Sequence, residues 1–143
     1  MRSKGIKAVL TRTDDTYVSL EDRVAFSEAE DPQIFVSIHV NSSEGTSASG
    51  IETHYYHDYS IGLAKVVHAA MVKHVNSKDR GLFKSKFYVI NHTTDPAILC
   101  EIGFLSNTEE RNDMLTDSRK QKTAKAIADG IIEYLKKASK NKG

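Results

Sequence analysis

The chain has a single cysteine, Cys100, among 143 residues, so it can form no internal disulfide and cannot build a thiolate metal site from its own thiols. Neither sign of charge is in excess: 20 Lys and Arg stand against 19 Asp and Glu, spread along the whole length. That balance gives neither a nucleic-acid footprint nor a basic membrane patch, and any charged ligand has to be recognised locally. No apolar run approaches the length that crosses a bilayer, and the opening "MRSKGIKAVLTRTDD" has a basic start without the long apolar core of a secretory signal. The length suits one domain with one hydrophobic core.

What is present is an alternation of strand-like and helix-like segments. "IKAVLTR" (Ile6 to Arg12) reads as a strand ending in the turn "TDDT". Ser19 with Asp22 three residues on marks a helix start, and the helix should stop before Pro32. "IFVSIHV" (Ile34 to Val40) is a short apolar strand followed by the small-residue loop "NSSEGTSASG", and Gly50 leads into the strand candidate "IETHYY". Between Ser60 and about Val75, Leu63, Val66, Val67, Ala70 and Met71 share one helical face, and the polar turn "NSKDRG" follows. "FYVI" (Phe87 to Ile90) reads as a strand, as does "AILCEIGF" after Pro96, an apolar run of the kind covered on both faces. Asn107 with Glu110 begins a short helix capped by Asn107. The last helix carries Ala124, Ile127, Ala128, Ile131 and Leu135 at spacings of three and four. The reading is an α/β domain over residues 1–138, with a mixed, largely parallel sheet flanked by helices on both faces, and a disordered basic tail over residues 139–143.

Two polar residues break the apolar pattern. Side chains alternate along a strand, so Phe35, Ser37 and His39 face one way while Ile34, Val36, Ile38 and Val40 face the other. The same parity puts Ala97, Leu99 and Glu101 opposite Ile98, Cys100 and Ile102. His39 and Glu101 both sit late in their strands, where ligands gather in open α/β sheets. A buried glutamate has to be paired, metal-bound or protonated. Taken singly, each residue fits a structural network; taken together at two strand exits, they point to a site. A neutral imidazole and a carboxylate in one cleft suit zinc-assisted amide hydrolysis, with the carboxylate as general base toward water and general acid toward the leaving amine. Cys100 points away from Glu101, which disfavours a cysteine nucleophile paired with His39.

The blocks "VLTRTDDTYVSLEDRVAF", "FVSIHVNSS", "GIETHYY", "DRGL", "FYVI", "PAILCEIGFLSNTEE" and "AKAIADGIIEYL" follow one another in order across nearly the whole chain. In that order and spacing the chain resembles the zinc-dependent N-acetylmuramoyl-L-alanine amidases of the Amidase_3 family. The resemblance implies hydrolysis of the amide between N-acetylmuramic acid and the first L-alanine of the peptidoglycan stem peptide, and an α/β fold with a six-stranded sheet. It implies a bacterial envelope or secreted location and a cell-wall lytic role, without nucleic acid or membrane insertion. Position by position, His39 matches a zinc-ligand histidine and Glu101 the catalytic glutamate. Asn41 and Arg80 are the candidates for substrate contact, and Arg12 is expected to hold its turn together. Family domains begin with a strand and a Gly-His-Gly-Gly-type loop that bring a first zinc histidine and then a glutamate ligand. This sequence starts after both, so the expectation is an N-terminally truncated domain whose Zn²⁺ would take its other ligands from outside these residues. His54 and His57 fall on opposite strand faces and cannot readily chelate one ion, His68 and His74 read as helix-surface or packing residues, and His92 is the best-placed spare. The competing reading is a peptidoglycan-binding or regulatory module without a competent zinc site.

Overall fold

The two apolar runs that carry His39 and Glu101 form strands β1 (Phe35–Asn41) and β4 (Ala97–Phe104), which lie side by side and parallel, with Phe35 opposite Ala97 and His39 opposite Glu101. Strand β2 (Ile51–Tyr55) pairs antiparallel with β4, placing Glu52 opposite Glu101, and β3 (Asp79–Lys84) pairs parallel with β2. In this computed structural model, which describes residues 1–141, the order β1-β4-β2-β3 gives a four-stranded sheet with two parallel pairings and one antiparallel. The mixed, largely parallel sheet expected from the sequence is therefore present.

Parity then sorts the core. Ile51, Ile98 and Cys100 pack against Leu63, Val67 and Met71 of α2 (Ile61–His74) and Ala126, Ile127 and Ile131 of α5 (Asp117–Lys140). Each fully buried aliphatic side chain there contributes about 1.5–3 kcal/mol. Gly130 lets α2 and α5 approach closely, since a Cβ on it would stand 2.7 Å from Val67 Cα. On the opposite face, Ala97 and Leu99 pack with Val89 and Ile90 of α3 (Tyr88–His92) and with Val24 of α1 (Leu20–Glu30). Helices thus flank both faces. The starts of α1 and of α4 (Thr108–Met114) are set as the capping pattern predicts: Ser19 Oγ accepts from Asp22 N at 3.0 Å, and Asn107 Oδ1 accepts from Glu110 N at 2.9 Å.

Five expectations are corrected. Residues 6–12 are not a strand: they follow a short 3₁₀ turn at Arg2–Lys4 as irregular chain, leaving Val9 and Leu10 exposed. β-rich composition describes fitness for a pleated, partnered surface, and among the described residues no strand pairs with this segment. "FYVI" is helical from Tyr88 onward, with the adjacent Val89 and Ile90 both buried, a pattern that a short apolar run shares with a buried strand. The "DRG" of the expected turn opens β3, an edge strand whose residues read as polar because half of them are exposed. The sheet has four strands among the described residues, not six. Helix α5 also runs to Lys140, so Ser139 and Lys140, placed in the tail by the sequence, are helical; Lys142 and Gly143 lie outside the described residues.

The outer edge of β1 has no strand partner among the described residues. Ile38 is 56% and Val40 48% exposed there, beside an apolar trough of about 600 Å³ lined by Ile6, Val36, Ile38, Ile127, Ile131 and Leu135.

Candidate functional site

Because β1 and β4 are parallel while β2 and β3 run against them, the ends of the first pair and the starts of the second meet on one rim. His39, Asn41, Glu52, Arg80 and Glu101 converge there. Glu101 is the central group. It is 9% exposed, and its Oε2 is buried without a hydrogen-bond partner. Among the described residues no ion pair or capping network compensates it. Burial, and then the charge of Glu52 across the β2–β4 pair, push its carboxyl up to about 7. A carboxyl with that value exchanges a proton readily near neutrality.

His39 stands beside Glu101 in the β1–β4 register. Its pKa is lowered by burial and then by the positive charges of Arg23 and Arg12, which favours the neutral imidazole that a metal requires. A cleft of about 430 Å³ opens next to it, between β1, α1 and residues 9–12. Arg12 itself donates from Nη1 to Thr16 O at 3.1 Å, so it holds the "TDDT" turn through the backbone, in line with the structural role expected for it.

Asn41 and Arg80 are brought together by a residue that the sequence reading did not single out. Glu52 accepts from Arg80 Nε at 2.8 Å on Oε1, and from His54 Nε2 at 2.9 Å and Asn41 Nδ2 at 3.2 Å on Oε2. Burial acts to raise its pKa, but the bonds from Arg80 and His54 outweigh it and hold the carboxyl below its usual range. The available signal was parity: Glu52 and His54 share a face of a strand whose other residues are apolar or buried. Arg80 reaches this face through an irregularity, because the β2–β3 register slips between Ile51 and Glu52 and makes Arg80 the extra residue, next to Gly81 at φ +96°.

A second buried carboxylate secures the rim from below. Glu110 accepts from Gly50 N at 3.0 and 3.1 Å, from Phe104 N at 2.8 Å and from Ser77 Oγ at 2.6 Å, tying the start of β2, the end of β4 and the α2–β3 connection together. Arg119, 5% exposed, lies 3.7 Å from it and donates to Ile102 O at 3.0 Å. Beyond Glu101 the β1–β4 register shifts, so that Ile102 and Gly103 stand against Val40; a Cβ on Gly103 would lie 2.6 Å from Met114 Sδ.

Four of the other five histidines have hydrogen-bond partners of their own. His54 lies between Phe83 and Phe87, with Ser85 Oγ 2.7 Å from its Nδ1. His57 Nε2 donates to Asn91 O, and His68 bridges Thr53 and Asp79. His92, the expected spare, hydrogen-bonds Tyr88 O through Nδ1 and stacks on the Tyr88 ring. Among the described residues no three His, Cys, Asp or Glu side chains converge to hold a metal ion. His39 suits one coordination position, whereas a catalytic Zn²⁺ takes about three protein ligands. The donor set present does not fit the metal by itself.

Comparison with known proteins agrees with this architecture. The family model for N-acetylmuramoyl-L-alanine amidase, Amidase_3, matches residues 1–133. YqiI of Bacillus subtilis is 38% identical over 138 residues, covering 94% of this chain and 66% of YqiI. The N-acetylmuramoyl-L-alanine amidase LytC of Bacillus subtilis is 31% identical over 140 residues, 95% of this chain and 28% of LytC. The chain thus spans less than two thirds of the length of these relatives. The catalytic domain of CwlV, an N-acetylmuramoyl-L-alanine amidase from Bacillus (Paenibacillus) polymyxa var. colistinus, superposes with a TM-score of 0.89 at 41% identity, covering 91% of this chain and 73% of that domain.

Proposed function

Because the chain belongs to the N-acetylmuramoyl-L-alanine amidase family, we propose that it serves hydrolysis of the amide between N-acetylmuramic acid and L-alanine in peptidoglycan, at the bacterial envelope or outside the cell. The observation that carries this reading is Glu101, a buried carboxyl left without a partner at a strand exit and poised to gain or lose a proton near pH 7. Glu101 takes the proton of the attacking water and returns it to the amide nitrogen, which departs as the amine of L-alanine. General acid/base catalysis of this kind contributes about 10²–10⁴-fold.

Asn41 and Arg80 each give one bond to Glu52, from Nδ2 and Nε, and keep further N–H donors. They are suited to the carbonyl and carboxylate groups of the stem peptide. A Zn²⁺ would supply Lewis acidity and an activated water. His39 offers one ligand to it and the described residues do not complete the set, so no step is derived through the metal.

The test is digestion of purified sacculi with the chain, with and without added Zn²⁺, following release of stem peptides bearing a free L-alanine amino group. Release that falls by about 10²–10⁴-fold in Glu101→Gln supports the assignment. Wall binding without any release favours the second reading, a peptidoglycan-binding or regulatory module, which the lone His39 recommends.

A further inference from the structure

Two carboxylates directly opposite each other on one face of an antiparallel pair repel and destabilise the sheet. Glu52 and Glu101 occupy that arrangement, with a guanidinium close at hand. The planar fork of an arginine carries five donors, enough to serve two carboxylates within its reach. Here Arg80 is given to one of them. Its Nε donates to Glu52 Oε1, its Cζ lies 4.9 Å from the centre of the Phe104 ring, and Glu101 Oε2 is left unpartnered.

Several features aim Arg80 in this direction. The slipped β2–β3 register makes it the extra residue, and Gly81 takes the positive φ that the slip requires. Gly50, at φ +119°, leaves room for the arginine stem, since a Cβ there would stand 2.8 Å from Arg80 Cγ. Glu52 is fixed from its other side by His54 and Asn41, and His54 is clamped by Phe83, Phe87 and Ser85.

We propose that Glu52 is a positioning residue of this cleft: by holding Arg80 through Nε it keeps the guanidinium off Glu101, leaves Glu101 free for proton transfer, and turns the remaining Arg80 donors toward substrate. This inference rests on the acid/base reading of Glu101, but the placement of Arg80 can be tested without turnover.

In a crystal structure of the full chain carrying Glu52→Gln, Arg80 should swing to within salt-bridge distance of Glu101; an Arg80 that keeps its present position overturns the proposal. On sacculi, Glu52→Gln should lose kcat by about 10²-fold, at the lower end of an acid/base contribution, with KM changed far less. The double variant Glu52→Gln/Arg80→Gln should then recover kcat by about tenfold over Glu52→Gln, because the stray cation is gone and coupled residues are not additive. A merely structural Glu52 would leave the double variant no faster than the single one, and that result also overturns it. Glu52→Asp, which keeps the charge, covers the case in which Glu52→Gln fails to fold. It should still hold Arg80 away from Glu101 in the crystal, and an Arg80–Glu101 pair there counts against the proposal. Absence of turnover in every variant, the unsubstituted chain included, would count against the amidase reading and leave the crystallographic outcome to decide the placement.

Discussion

Replacing Glu101 by glutamine should stabilise the metal-free protein at pH 8 and abolish much of its loss of stability between about pH 4.5 and 7. The ordinary carboxyl value is 4.5, and the folded environment pushes Glu101 up to about 7. Between those values the unfolded chain has released this proton while the folded chain still holds it. Stability therefore falls as pH rises through the window, being fully present below 4.5 and lost above about 7. A gap of roughly 2.5 pH units, at about 1.36 kcal/mol for each, is worth about 3 kcal/mol. Little of the Glu101 surface is exposed, but its carboxyl borders an open rim and is only partly desolvated, so screening discounts this to about 1–3 kcal/mol. The measurement is urea unfolding of both proteins in EDTA from pH 4.5 to 8. His39, whose folded value is depressed, contributes with the opposite sign, but it is common to both proteins and cancels in their difference. Unfolding free energies that stay parallel across the range, within about 0.5 kcal/mol, would show that Glu101 is compensated and that desolvation does not govern it.

Gly130→Ala should cost about 1–3 kcal/mol, read from the shift in urea midpoint at unchanged m-value, because its Cβ would press on the Val67 backbone and force α2 and α5 apart. Cys100 is fully buried with its thiol pushed up to about 12, so alkylation by iodoacetamide should follow global unfolding and be negligible in the folded protein at pH 8. Ile38→Lys with Val40→Lys should reduce aggregation on heating, measured by light scattering, while leaving the unfolding midpoint nearly unchanged, since both side chains are already about half exposed on an unpaired strand edge.

The parts of this fold legible in the sequence were those decided by near neighbours. Ser19 and Asn107 cap their helices as the pattern predicts, and alternation alone put His39 and Glu101 on one face and Cys100 on the other. What was missed depends on long-range pairing. Residues 6–12 have strand composition but pair with no strand among the described residues, and "FYVI" is too short for its periodicity to separate a strand from a buried helix turn. Arg80 joins the site through a slipped register, and Glu52 faces Glu101 only because β2 runs antiparallel to β4. A charged residue inside an apolar strand is visible in the sequence as a broken rule, and Glu52 and Glu101 break it equally. Which of them we propose as the acid/base group follows from what the fold supplies to each. Glu52 receives donors from three side chains and is thereby fixed as an anion, whereas Glu101 receives none at Oε2 and keeps a proton it can give away. The contrast between these two opposed carboxylates, one satisfied and one not, is the physical basis for proposing Glu101 as the acid/base group and Glu52 as the residue that positions Arg80.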